Sequence, residues 1–280
     1  MASQRATRGM NRATVRDRLW LWGHDAGSHN EGWGLPGSSK ITPAEAAFYL
    51  GIPNLVMVRY KGRPPLPLDQ FAVQLGSLRQ VVWSAVGAQG QSDEEERSHI
   101  LDLASRHSNV TGIMLDDFFA NKPKSGEEAA VLSLEKLVEL RRRLKGSERR
   151  LNLWAVLYEH QMDQRLTPFL ESLDVVSLWA WDTQNVRNMS NSLEQLEALA
   201  PSCRKVVGCY KWDYGKKRPM PLDRLKDLCT VSLDWLRQGR IEGLIFLASC
   251  ICDLELEAVE WTRRWITEVW DQPIGYGISD

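Results

Sequence analysis

The sequence predicts a single α/β domain folded as a (β/α)8 TIM-type barrel, and three observations lead there. Eight short apolar runs alternate with eight stretches of helical character along 280 residues, with no break in composition. The runs are continuously apolar, as strands buried on both faces of a parallel sheet must be. Eight such units match the usual length of a closed barrel. An open doubly wound sheet is the alternative, but that fold usually carries a glycine fingerprint after its first strand, and Gly23, Gly27 and the glycines that follow lack its spacing.

Residues 1–17 read as a polar N-terminal arm or the start of a docking helix, 18–271 as the barrel, and 272–280 as a short tail. The first strand, 19–23, ends in His24-Asp25, and a Gly-rich loop follows that carries His29, Asn30, Glu31 and Trp33. Thr42, Pro43 and Glu45 supply the cap, first-turn proline and third-position acid of a helix to about Leu50. Strand two, 54–60, ends in Arg59-Tyr60 and leads through a Pro-rich loop to a helix over 68–77. Strand three covers 80–86, and Ser92 with the acids after it caps a helix to about Arg106. Strand four, 110–115, ends in Asp116-Asp117, and the leucine spacing predicts a helix over 126–144 capped by Ser125. Strand five, 151–157, ends in Tyr158-Glu159-His160 and precedes a helix over 162–173. Strand six, 175–180, ends in Trp181-Asp182 before a helix over 190–199. Strand seven, 204–210, ends in Lys211-Trp212-Asp213-Tyr214, and a basic loop leads to a helix over 222–237. Strand eight, 243–248, ends in Ser249-Cys250, and the last helix spans 254–270.

Composition excludes several classes. Apolar residues at 43% and charged residues at 25% give an ordinary globular balance. With 35 Lys and Arg against 36 Asp and Glu, the chain offers no electrostatic footprint for nucleic acid or an anionic membrane. Arg141 to Arg143 and Arg149-Arg150 flank a helix end, where cations complement the dipole. Five cysteines, all between Cys203 and Cys252 and without a secretory segment, argue for reduced thiols. Cys250-Ile251-Cys252 lacks the second pair a zinc site needs, so no metal or other cofactor is expected. The N-terminal stretch has no apolar core and nothing else approaches a membrane span, which makes the cytoplasm the expected location. Trp261, Trp265 and Trp270 are spaced to pack on the barrel or on a second copy of the chain, so a homo-oligomer is open.

A closed barrel aims all eight strand ends at one mouth. Burying a carboxylate costs several kcal/mol unless it is paired or used, so the adjacent pair Asp116 and Asp117 stands out, although a helix N-cap explains a single Asp as well. Because side chains alternate along a strand, the two acids are expected to point differently. Carboxylates among aromatics suit glycoside hydrolysis, in which one acid protonates the leaving oxygen and a second attacks the anomeric carbon or activates water. Trp is abundant, 12 in all, and its flat face stacks on ligands as readily as it fills a core. The expected substrate contacts are His24, Asp25, Arg59, Tyr60, Trp83, Trp181, Asp182, Lys211, Trp212 and Asp213, with capping or barrel filling the bland reading for the acids and indoles.

The run Gly112-Ile113-Met114-Leu115-Asp116-Asp117-Phe118 resembles the fourth-strand signature of several (β/α)8-barrel glycoside hydrolases. The resemblance implies a glycosidase acting on carbohydrate, with Asp116 or Asp117 as nucleophile or base and Glu159 as proton donor. The Asp-x-x-Asp-x-Asp-x-Glu strand of chitinase-like barrels is not complete here, which argues against their substrate-assisted mechanism. Two other classes compete. A metal-dependent isomerase or lyase would draw its oxygen and nitrogen ligands from His24, Asp25, Asp116, Glu159 and Asp213. A non-catalytic carbohydrate-binding barrel would use the same indoles. Lys211 suits a Schiff base only if desolvated, and Lys216-Lys217-Arg218 suits an acidic substrate or a solvated loop.

Overall fold

The computed structural model describes residues 13–87, 94–121 and 129–274. Eight parallel strands close into a barrel: β1 (Leu19–Gly23), β2 (Asn54–Met57), β3 (Gln80–Val86), β4 (Val110–Leu115), β5 (Asn152–Tyr158), β6 (Val175–Trp179), β7 (Arg204–Tyr210) and β10 (Gly243–Leu247). Pairing of β1 with β10, Leu19 against Leu244 through Trp22 against Leu247, closes the ring. A small antiparallel hairpin, β8 (Trp212–Asp213) with β9 (Arg218–Pro219), stands on the end of β7.

Helices α1 (Pro43–Leu50), α2 (Asp69–Gln74), α3 (Glu94–Arg106), α4 (Leu134–Gly146), α5 (Thr167–Leu170), α6 (Met189–Leu199), α7 (Leu222–Arg237) and α8 (Glu257–Val269) alternate with the strands. The Thr42 hydroxyl accepts from the Glu45 amide at 3.3 Å and the Glu45 carboxylate accepts from the Thr42 amide at 2.8 Å, so α1 begins where its capping box places it. It ends at Gly51, whose φ of 71° is left-handed.

The fourth helix begins later than its leucine spacing predicts. Ser133 caps α4 through the Lys136 amide (3.4 Å), and the expected cap Ser125 lies outside the described residues. The chain before Ser133 folds back on the end of β4 instead. Val131 donates to Phe118 O at 2.9 Å and Ala120 to Ala129 O at 3.0 Å, which buries Ala130 and Leu132. The expected helix over 162–173 is broken into two 3-10 turns and the four-residue α5, with Asp163 and Pro168 setting the local starts. Val15–Arg18 forms a 3-10 turn, and Thr14 pairs with Pro273 in an antiparallel bridge. Among the described residues no helix is long and apolar enough to cross a membrane.

Indoles fill much of the barrel. Trp20 and Trp154 meet edge to face at 5.0 Å. Trp22 and Trp179 meet at 5.4 Å. The Trp179 Nε1 donates to Ser177 Oγ at 3.1 Å, so its polar atom is satisfied inside. Gly208 on β7 makes room for that ring: a Cβ there would fall within the indole. Trp261 stacks on Trp265 at 6.0 Å, Trp265 packs on Phe246, and Arg16 lies over Trp270, so these three indoles are engaged within the chain.

Candidate active site

A cavity of about 200 Å³ opens among the strand ends, with Trp22, Val156, Trp179 and Leu247 in its walls. It is also lined by Asp116 and Asp117 from the end of β4, Tyr158 from β5, Trp181 and Thr183 after β6, Tyr210 from β7, and Asp213 and Tyr214 from the hairpin. Tyr60 after β2 and His24, His29 and Trp33 from the loop after β1 complete it.

Both acids of the pair line this cavity, where alternation along a strand predicts divergence. The reason is local. Strand β4 stops at Leu115, and Asp117 takes a φ of 45°, so the strand rule no longer governs either residue. Asp116 is only 5% exposed. Burial, reinforced by the neighbouring Asp117 charge, pushes its carboxyl well above the usual range, and one hydrogen bond from the Asp117 amide (2.9 Å) does not offset this. Asp117 Oδ1 accepts from the Tyr158 hydroxyl at 3.0 Å. Burial raises Tyr158 and Tyr210 far enough to keep both phenols protonated.

The two histidines are neutral. His24 donates through Nδ1 to Val58 O (2.9 Å) and accepts at Nε2 from the Trp22 indole (3.1 Å), which fixes its tautomer. Burial lowers its pKa to about 4. His29 shares a hydrogen bond with the Tyr214 hydroxyl (3.0 Å) and is held well below the usual value by burial and by His24.

Of the residues expected from the sequence, His24, Tyr60, Asp116, Asp117, Trp181 and Asp213 converge on the cavity. The others take structural posts. Glu159 spends one oxygen on the Trp181 amide and the other on the Asn185 side chain, each at 2.8 Å, and so anchors the loop after β6. Asp25 pairs with Arg63 (3.1 Å). Arg59 pairs with Glu96 (2.6 Å) and donates to Pro64 O and Gly62 O. Trp83 turns outward onto Phe71. Asp182 accepts from the Gln184 amide and pairs with Lys216 (3.4 Å). Lys211 is fully buried with its Nζ 3.1 Å from Cys252 Sγ, outside the cavity lining. Trp212 donates to Trp33 O (3.0 Å) and so holds the loop after β1. Among the described residues, no group of three or more His, Cys, Asp or Glu is placed to hold a metal ion.

Six lining indoles and phenols lie outside the expected substrate contacts: Trp22, Trp33, Tyr158, Trp179, Tyr210 and Tyr214. Tyr158, Trp179 and Tyr210 are the last residues of their own strands, whereas the expected contacts were drawn mainly from the residues just beyond them. Parity with the inward Gly208 and Ser177 would have turned Tyr210 and Trp179 inward. Trp33 comes from a loop whose path carries no sequence signal.

Fold and site together define a (β/α)8 barrel with an aromatic cavity built around paired acids. No protein-family model and no curated protein matches the sequence. Solved structures do match the fold. A catalytic domain of a thermostable chitinase from Pyrococcus furiosus, solved with chito-oligosaccharides, superposes with a TM-score of 0.58 at 14% identity, covering 97% of this chain and all of that one. The PgaB glycoside hydrolase domain from Bordetella bronchiseptica gives a TM-score of 0.54 at 11% identity over 88% of this chain and 98% of that one. A xylanase and α-amylase inhibitor protein, solved with trehalose, gives 0.54 at 13% identity over 93% of this chain and all of that one. The neighbours thus include (β/α)8-barrel glycoside hydrolases, and at these identities the likeness is one of fold.

Proposed function

We propose that the protein is a glycosidase that cleaves its substrate in the aromatic cavity, with Asp116 as the proton donor and Asp117 as the carboxylate that answers the positive charge developing at the anomeric carbon. The observation that carries this reading is Asp116 itself: a buried acid whose carboxyl is pushed well above the usual range by burial and by the Asp117 charge, set beside that second acid at the mouth of a barrel. A carboxylic acid can protonate a leaving oxygen only if it still holds a proton at working pH, and burial beside a like charge favours that state. Tyr158 holds Asp117 by its hydroxyl and keeps the two acids in distinct roles. Trp181, 51% exposed and edge-on to Tyr158 at 5.2 Å, offers a flat apolar face to the C–H surface of a sugar ring.

Glu159 takes a different part from the one the resemblance implies. With both oxygens committed to the loop after β6, it positions Trp181 and does not deliver the proton.

The test is turnover of a panel of aryl glycosides and oligosaccharides by the wild-type chain and by Asp116→Asn and Asp117→Asn. Sugar release by the wild type and its loss in both folded variants is the expected result. Undiminished release in both variants would overturn the proposal. Glycans that raise the melting temperature of the wild type without being cleaved would place the protein among carbohydrate-binding barrels instead.

A further inference from the structure

A second cavity, of about 420 Å³, lies between the loop after β6 and the start of α7, and Thr183, Arg187, Arg218, Asp223 and Arg224 are among its lining. Three guanidiniums face one carboxylate there. Arg187 is exposed and makes no ion pair among the described residues. Arg218 spends its Nε on Asp213 at 3.3 Å. Arg224 is the most informative. Its side chain is 18% exposed, its Nε lies 3.8 Å from Asp223, and its Nη1 is buried with no hydrogen-bond partner among the described residues. A buried donor of that kind costs free energy until something accepts from it.

The backbone adds to the same demand. Helix α7 runs for 16 residues and Pro221 at its N-cap makes no side-chain cap; the Arg224 amide donates to Pro221 O (3.1 Å), and with Pro221, Asp223 and Arg224 in the lining the positive end of the helix dipole lies at this cavity. Guanidinium forks and helix-start amides both favour planar or tetrahedral oxyanions.

The cavity is joined to the candidate active site. Thr183 lines both, and its hydroxyl donates to Asp213 Oδ2 at 3.0 Å, the same carboxylate oxygen that Arg218 reaches. We infer that this arginine cavity binds an oxyanion, a carboxylate or a sulfate or phosphate ester, carried by the sugar adjoining the one held in the aromatic cavity. The substrate class is then an acidic oligosaccharide, an inference that rests on the glycosidase reading for its sugar and on Arg187, Arg218 and Arg224 for its charge.

The experiment is calorimetric titration of the full chain with D-glucuronate, glucose 6-phosphate, D-glucose and inorganic phosphate at matched ionic strength. It is repeated on Arg187→Gln, Arg224→Gln and the double variant. At least one acidic sugar is expected to bind about tenfold more tightly than glucose and than inorganic phosphate, and the advantage should vanish in the double variant. Arg187 is on the surface, so Arg187→Gln alone, with a severalfold loss of the advantage, keeps the test decisive if removing Arg224 unfolds α7. Equal binding of all four probes, an advantage that survives the double variant, or phosphate binding as tightly as the acidic sugars would each overturn the inference. Acidic-sugar preference without hydrolysis would remove the glycosidase reading and leave the anion site. Hydrolysis without the preference would do the reverse.

Discussion

Substitution of Gly208 by Ala tests how the barrel builds its cavity. Gly208 sits on β7 directly under the Trp179 indole, and an added Cβ would fall inside the ring at Cδ2, Cε3 and Cε2. That ring has little freedom to move. It is 1% exposed, bonded to Ser177 and packed edge-on against Trp22 and at a tilt against Tyr210. Overpacking of a filled core costs about 1–3 kcal/mol, and a rigid indole with a bonded nitrogen belongs at the upper end. At roughly 2–4 °C per kcal/mol for a domain of this size, Gly208→Ala should lower the melting temperature by about 6 °C or more. Scanning calorimetry of Gly208→Ala, Trp179→Leu and the double variant measures this. Because the clash needs both side chains, the double variant should be more stable than the sum of the two losses allows. A melting temperature within about 1 °C of wild type for Gly208→Ala, or strict additivity, would refute the packing argument.

Other outcomes follow from the same geometry. Asp116 has a folded pKa above its unfolded value, so the stability it contributes is full below the unfolded pKa and is lost as pH rises toward the folded one. Asp116→Asn should therefore raise the melting temperature at pH 7, with the difference shrinking in acid, while sugar release disappears; a variant less stable than wild type at pH 7 would contradict this. His24 has the opposite sign. Its pKa falls from 6.5 to about 4 on folding, so the stability tied to the neutral ring is full above 6.5 and fades by about 3 kcal/mol as pH falls to about 4. Denaturant titrations across that range should show a slope that His24→Gln flattens, and an unchanged slope would count against a buried neutral ring. Tyr158→Phe removes the donor to Asp117 and should lower kcat about tenfold with KM little changed. Glu159→Gln should raise KM more than it lowers kcat, because it loosens the loop that carries Trp181; a collapse of kcat alone would restore Glu159 as the proton donor.

Much of this was readable in the chain. β1, β3, β4, β7 and α7 begin and end at the residues expected, since continuous apolar runs and amphipathic spacing leave few other registers. Asp116 and Asp117 were legible because a buried strand rarely ends in two acids without cause. The remainder depends on facts that no local pattern carries. Glu159, Asp25, Asp182 and Arg59 look like binding residues by position, and only the fold shows that each is consumed by a nearby amide or counter-charge. Trp83 and Trp212 end in outward or supporting roles because alternation within β3 turns Trp83 to the helix side, and Trp212 stands beyond the end of β7, where strand alternation no longer sets its direction. The delayed start of α4 came from tertiary burial of Ala130 and Leu132 overriding a sound helical repeat. The arginine cavity joins a loop after β6 to a helix start after β7, two segments whose approach nothing in their own sequence announces.

The protonation state of Asp116 can be measured directly. Carbon-13 NMR of aspartate-labelled protein, with Asp116→Asn used to assign the carboxyl signal, should show a protonated acid throughout the neutral range. A resonance that titrates near the ordinary value of 3.8 would mean that Asp116 is ionised at working pH and has no proton to give to a glycosidic oxygen.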